Sequence, residues 1–133
     1  MAANWKCILE HYNECYHCSS VHPELCEIVP AFKTGGTGLN WDDGIPHREG
    51  ANTFSFSGTT VRSPFPGLSP EERDRHKGEL VYPNVMLSAS PDHVAAFVLW
   101  PQSSAQTKIG CDFLFHPQEM SRPSFDPTDA MDS

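Results

Sequence analysis

Glu10-His11-Tyr12-Asn13-Glu14-Cys15-Tyr16-His17-Cys18-Ser19-Ser20-Val21-His22-Pro23 crowds two carboxylates, three imidazoles and two thiols into one short stretch. Glu14 and His17 are three positions apart, the spacing of side chains that share a helix face. His22 precedes Pro23, and the residue before a proline is pushed out of the α region. The stretch therefore reads as a helix that delivers His17, followed by an uncoiled step that returns His22 to the same point. That is a way to build two imidazole corners of a metal site.

Upstream, residues 4–18 read as one amphipathic helix with Trp5, Ile8, Leu9, Tyr12 and Tyr16 as its apolar stripe. Glu10, Glu14 and His17 fall on nearly the opposite side, which predicts a helix held between a core and a polar cavity. Downstream, residues 23–50 lose periodicity around Gly35, Gly36, Gly38, the Asp42-Asp43-Gly44 turn and Pro46. Gly35-Gly36-Thr37-Gly38 lacks the Gly-Lys-Ser/Thr ending of a phosphate loop. Residues 52–62 alternate enough for a strand. Ser69-Pro70-Glu71-Glu72 reads as a capping box opening a short helix that ends at Lys77-Gly78. Residues 79–89 then predict a strand with Val81, Val85 and Leu87 on one face, and residues 93–101 a largely apolar one. Residues 106–115 place Ile109, Cys111, Phe113 and Phe115 opposite Lys108 and Asp112. Short connections between these strands favour an antiparallel meander. The tail from His116 contains no complete element, although Pro127-Thr128-Asp129 looks like a helix start.

The chain has 133 residues, room for one domain, and its net charge of −8 argues against nucleic acid. No segment reaches the roughly 18 consecutive apolar residues of a membrane span, and the N-terminus lacks a signal-peptide core, so a cytoplasmic protein is expected. Five cysteines are an odd number, which makes reduced thiols the expectation rather than a disulfide framework.

Two imidazoles and one carboxylate with open positions are the donor set of mononuclear non-haem Fe(II) oxygenases, though imidazole suits zinc equally. A competing reading is a structural zinc site using Cys15, Cys18 and His22. Cys7 and Cys26 read as small buried hydrophobes, and His47, His76, His93 and His116 as solvated residues beside turns.

The run Asn4-Trp5-Lys6, then Glu10, Glu14-Cys15-Tyr16-His17-Cys18 and His22-Pro23-Glu24-Leu25, resembles the start of the catalytic domain of Rieske-type non-haem iron ring-hydroxylating oxygenase α subunits. Within that family it is most similar to the glycine betaine and quaternary-ammonium monooxygenase branch. The resemblance continues through Tyr82-Pro83-Asn84-Val85, Asp92-His93-Val94, Leu99-Trp100-Pro101, Phe113-Leu114-Phe115-His116-Pro117 and Phe125-Asp126-Pro127-Thr128-Asp129-Ala130. It implies an α+β helix-grip (START-like) fold, an antiparallel sheet around a helix, here incomplete at the C-terminus. It implies His17 and His22 as ligands of a mononuclear Fe(II), and Glu14 as the catalytic carboxylate that bridges towards a neighbouring subunit's [2Fe–2S] Rieske cluster. It further implies a homotrimeric parent enzyme, O2 as co-substrate, a small-molecule substrate such as a quaternary ammonium, and a Rieske domain and reductase as electron donors. No nucleic acid or membrane partner is implied. Two departures stand out: the Cys-x-His and Cys-x2-His motifs of the Rieske domain are absent from these residues. The family's aspartate ligand also lies beyond the segment matching Asp126–Ala130, so neither Asp126, Asp129 nor Asp132 is that residue by motif. Residues 1–133 are therefore expected to be part of an oxygenase catalytic domain that does not turn over alone. The alternative from another class is a non-catalytic ligand-binding module in which Tyr82, Phe97 and Trp100 hold a quaternary ammonium by cation–π attraction.

Overall fold

The computed structural model describes residues 1–131. Its frame is a five-stranded antiparallel meander in the order β1 (Ile45–Pro46), β2 (Arg75–Val81), β3 (Val85–Ala89), β4 (His93–Ser103) and β5 (Gln106–Phe115). The α+β helix-grip architecture follows from what lies on it. Helix α1 (Trp5–Asn13) starts where the Asn4 side chain accepts the Lys6 N–H at 3.0 Å. Its apolar stripe of Trp5, Ile8, Leu9 and Tyr12 packs on Leu80, Met86, Phe97, Leu99 and Ile109 of the sheet. Leu99 has no solvent exposure, and burying such a side chain stabilises the fold by about 1.5–3 kcal/mol.

Tyr12 shows how closely the helix is gripped. Its hydroxyl donates to the Leu87 carbonyl at 2.6 Å, and it crosses the sheet over Gly78, where a Cβ would sit 3.2 Å from that hydroxyl oxygen. Gly78 is therefore a place of close approach inside β2, not the end of a helix. The capping box itself is present: Ser69 N–H donates to Glu72 Oε2 at 2.8 Å and Glu72 N–H to Ser69 Oγ at 3.3 Å. It closes only a short 3₁₀ turn, Glu71–Asp74, before the chain becomes β2.

Strand register corrects a second expectation. Residues 79–89 form a hairpin, with Val81 opposite Val85 and the reversal between them. The inward face carries Gly78, Leu80, Met86 and Ser88, while Val81 is half exposed. On β5 the expected face holds: Ile109, Cys111 and Phe113 look into the space beneath α1. Residues 52–62 are not a strand. Asn52 folds the segment on itself, its N–H donating to Gly58 O at 2.8 Å and its side chain bonding both the N–H and the carbonyl of Thr60. The loop buries Thr53, Phe54 and Ser55.

A second core joins Cys18, Cys26, Ile28, Val29, Phe32, Ile45, Ala51 and Phe54. It holds α2 (Cys18–Val21), α3 (Pro23–Ile28) and a 3₁₀ turn, Pro30–Thr34, against the start of the sheet. The tail forms two short helices, α4 (Pro117–Met120) and α5 (Thr128–Met131), so the expected helix start is real and α4 is an element the sequence pattern missed. Asp132 lies outside the described residues. Among the described residues, no helix is long and apolar enough to cross a membrane.

Candidate metal centre

The anticipated helix over residues 4–18 stops at Asn13, because Glu14 turns extended (φ −119°, ψ 149°). The Glu14 carboxylate then takes over the local hydrogen bonding. Oε2 accepts the Tyr16 N–H at 2.7 Å and Oε1 accepts from His17 Nδ1 at 2.7 Å. Glu14 and His17 thus meet across a turn rather than along a helix face, and Tyr16 leaves the apolar stripe to become 89% exposed. The hydrogen bond from His17, assisted by that of Tyr16, holds the Glu14 carboxyl below the usual carboxylate range.

His22 arrives as the sequence suggests. It ends α2 and precedes Pro23 at the first position of α3, with a backbone (φ −128°, ψ 58°) outside the helical region. Its ring stands edge-on to His17, with centroids 5.4 Å apart. His11 was not singled out from the sequence, yet it stacks on His17 at 3.6 Å and its Nδ1 lies 3.4 Å from Glu14 Oε1. The signal that could have found it is the His11-x2-Glu14 spacing, which repeats that of Glu14-x2-His17.

The site opens on a cavity of about 790 Å³ between α1, the second core and the inner sheet face. Its walls include His17, His22, Tyr12, Trp41, Phe97 and Phe113. Of the aromatic residues first considered for a cation, only Phe97 lines it. Tyr82 is 80% and Trp100 54% exposed on the outer surface. Trp41 was missed because its position depends on close packing over Gly36, in a glycine-rich run read only as loop: a Cβ on Gly36 (φ +68°) would lie 2.3 Å from the Trp41 ring.

Four further expectations are corrected. Cys15 and Cys18 are joined as a disulfide with Cα atoms 5.0 Å apart, since the turn after Glu14 folds one over the other. Bonded sulfurs offer no thiolate, so the Cys15/Cys18/His22 zinc site is not formed. Cys7 is exposed while Cys26 is buried as anticipated. His47, His76 and His93 are buried rather than solvated. Burial drives the His47 imidazole down to about 4 and that of His76 to about 3, the latter aided by neighbouring histidines, so both stay neutral. They flank Phe54, which stacks on His76 at 3.9 Å and on His47 at 6.3 Å. His93 donates from Nδ1 to Asp92 in a buried network with Thr53, Ser90 and Arg62.

The helix is clasped by an antiparallel sheet, and the imidazoles of His17 and His22 line the cavity between them. Residues 1–132 match the family described as ring hydroxylating alpha subunit (catalytic domain), and the chain belongs to it. It is similar to the glycine betaine monooxygenase oxygenase subunit of Pseudomonas aeruginosa, at 26% identity over 94% of this chain and 36% of that protein. It is similar also to the carnitine monooxygenase oxygenase subunit of Acinetobacter baumannii, at 25% identity over 93% of this chain and 32% of that one. A glycine betaine monooxygenase oxygenase subunit of Chromohalobacter salexigens matches at 61% over 23 residues, 17% of the chain. The chain spans about a third of the length of these first two relatives.

Proposed function

We propose that these residues form the imidazole-bearing part of a mononuclear non-haem Fe(II) oxygenase catalytic domain. The parent activity is oxidative N-demethylation or hydroxylation of a small quaternary amine. The observation that carries this reading is the 2.7 Å bond between His17 Nδ1 and Glu14. A carboxylate accepts, so Nδ1 bears the proton and Nε2 keeps its lone pair for a metal. Carboxylate-to-imidazole contacts of this kind orient and strengthen histidine ligands. His22, edge-on at 5.4 Å, offers the second nitrogen, and the residues fit an iron held by two imidazoles with further positions open.

Bound iron would supply the activation of O2. The chain's own residues do the rest. Glu14 fixes the His17 ring plane and tautomer, and its half-exposed face is where an electron donor, a neighbouring subunit's Rieske domain in a trimer, would make contact. Tyr12, with its hydroxyl satisfied by Leu87 and its titration pushed up by burial, closes the cavity roof without presenting an acid. Phe97, Phe113 and Trp41 give the cavity aromatic faces suited to an ammonium group.

The test is Fe(II) uptake by wild type, His17→Ala and His22→Ala, measured as bound iron after gel filtration. Both variants should lose iron; retention by both would overturn the reading. Residues 1–133 supplied with Fe(II), a reductase system and glycine betaine are expected to give no sustained formaldehyde. The aromatic cavity also supports a second reading, a binding module without chemistry. Betaine binding by calorimetry that persists in His17→Ala would favour it.

A further inference from the structure

His11, Glu14 and His17, which border the same cavity as His22, each place one possible ligand atom within 4.8 Å of the others; with the more exposed His11 in it, this set is the outer site, and His17 with His22 the inner pair. The natural set is the two Nδ1 atoms and Glu14 Oε1, at 3.4 Å and 2.7 Å from that oxygen. Two imidazoles and one carboxylate with an open position suit zinc-class divalent ions. We propose that these three residues form a second divalent-cation site, and that its occupation excludes a metal on His17 and His22. The exclusion rests on the reading of that inner pair given above; the outer site does not.

The reason for exclusion is the tautomer of one ring. A neutral imidazole has one protonated and one lone-pair nitrogen. The inner pair needs the His17 proton on Nδ1, donated to Glu14, with Nε2 available. The outer site needs the lone pair on Nδ1, which moves the proton to Nε2 and closes that nitrogen to the inner metal. No net proton is gained or lost in the switch, and Glu14 changes from hydrogen-bond acceptor to ligand. The present stacking of His11 on His17, with ring planes 23° apart, does not let one ion lie in both planes. His11 must swing, and its side chain, 56% exposed, has the room. Glu14 and His17 are less exposed, at 34% and 17%, and form the fixed half of the site.

Zinc affinity of the full chain, measured by competition with a chromophoric chelator in wild type, His11→Ala and His22→Ala, tests the site. His11→Ala should weaken zinc binding by at least about 10-fold, the lower bound for even an indirect partner of a metal, while its Fe(II) uptake stays at the wild-type level. His22→Ala should keep its zinc. Added zinc should expel iron from wild type one for one. Zinc lost in His22→Ala but kept in His11→Ala would overturn the outer site. Iron and zinc held together at one each per chain would overturn the exclusion. Iron that never binds, while zinc still depends on His11, would refute the inner-pair reading and leave the outer site standing.

Discussion

Replacing Asp92 by Asn tests whether charge ties the sheet to the C-terminal arm that closes one side of the cavity. Asp92 is 2% exposed at the start of β4. Its Oδ1 accepts from Thr53 Oγ1 at 2.6 Å, His93 Nδ1 at 3.1 Å and Ser90 Oγ at 3.2 Å. Its Oδ2 accepts from Arg62 Nε at 2.8 Å. Arg62 reaches onward to the Asp126 carbonyl at 2.8 Å and to both carboxylate oxygens of Asp129. Those contacts fix the start of α5, whose Met131 borders the cavity. Burial alone would raise the Asp92 carboxyl, but the bonds from His93 and Thr53 and the Arg62 charge overcome it and bring it from 3.8 to about 2.

At about 1.4 kcal/mol per tenfold change in proton affinity, that lowering corresponds to about 2–3 kcal/mol of stability. The folded value lies below the unfolded one, so this stability is fully present above pH 3.8 and fades as pH falls towards 2. Asp92→Asn leaves Arg62 with Asp129 as its remaining anion, so the loss should sit below the roughly 3–5 kcal/mol of a fully orphaned buried charge. Out of a typical total of about 5–15 kcal/mol, about 2–3 is readily measured by urea unfolding followed through tryptophan fluorescence. The gap between wild type and variant should narrow as pH is lowered from 4 towards 2. Equal midpoints at pH 7, or a gap that acid does not narrow, would refute the assignment of stability to this charge network.

Three other substitutions probe the site and its frame. Glu14→Gln should lower Fe(II) affinity by about 10–100-fold with little change in melting temperature, read by iron content and calorimetry. Gly78→Val should push against the Tyr12 ring, break its bond to Leu87 and cost about 1–3 kcal/mol in urea unfolding; an unchanged midpoint would show that α1 is not gripped there. Pro23→Ala removes the restriction on His22, so α2 and α3 are expected to merge. Circular dichroism should then show more helix, and metal uptake should fall as His22 swings away from His17.

What could be read from the sequence divides along a physical line. The meander, the first helix up to Asn13 and the nearness of the His17 and His22 rings depend on local pattern and spacing, and these were legible. β5 was placed to the residue because Ile109, Cys111, Phe113 and Phe115 recur at every second position between a polar turn and His116-Pro117. Strand 52–62 failed because its alternation belongs to a loop that bonds to itself through Asn52, a contact that hydropathy does not encode. Val81, Val85 and Leu87 do share a face, but on two strands: Val81 pairs with Val85 across a reversal at residues 82–84, and their face is the one opposite Leu80 and Met86. His47, His76 and His93 looked solvated beside their turns. Their burial comes from long-range packing around Phe54 and from Asp92, and neither is visible in a local window.

The break in the first helix shows why the metal candidate depends on more than its histidines. Ending α1 at Asn13 forfeits backbone bonds that a continued helix would have made, and Glu14 replaces part of that loss by accepting the Tyr16 N–H. Its other oxygen accepts from His17, so one carboxylate both stops the helix and orients the ring. A glutamine can keep only one of these roles. Its carbonyl oxygen can still accept the Tyr16 N–H and preserve the turn, but its NH2 then faces His17 Nδ1 and favours the tautomer with the proton on Nε2. The fold should therefore survive Glu14→Gln while the donor atom of His17 is lost to the cavity. Glu14→Ala, which removes both bonds, should disturb the turn as well. Comparing the two by circular dichroism and metal content separates the orienting role of this side chain from its structural one.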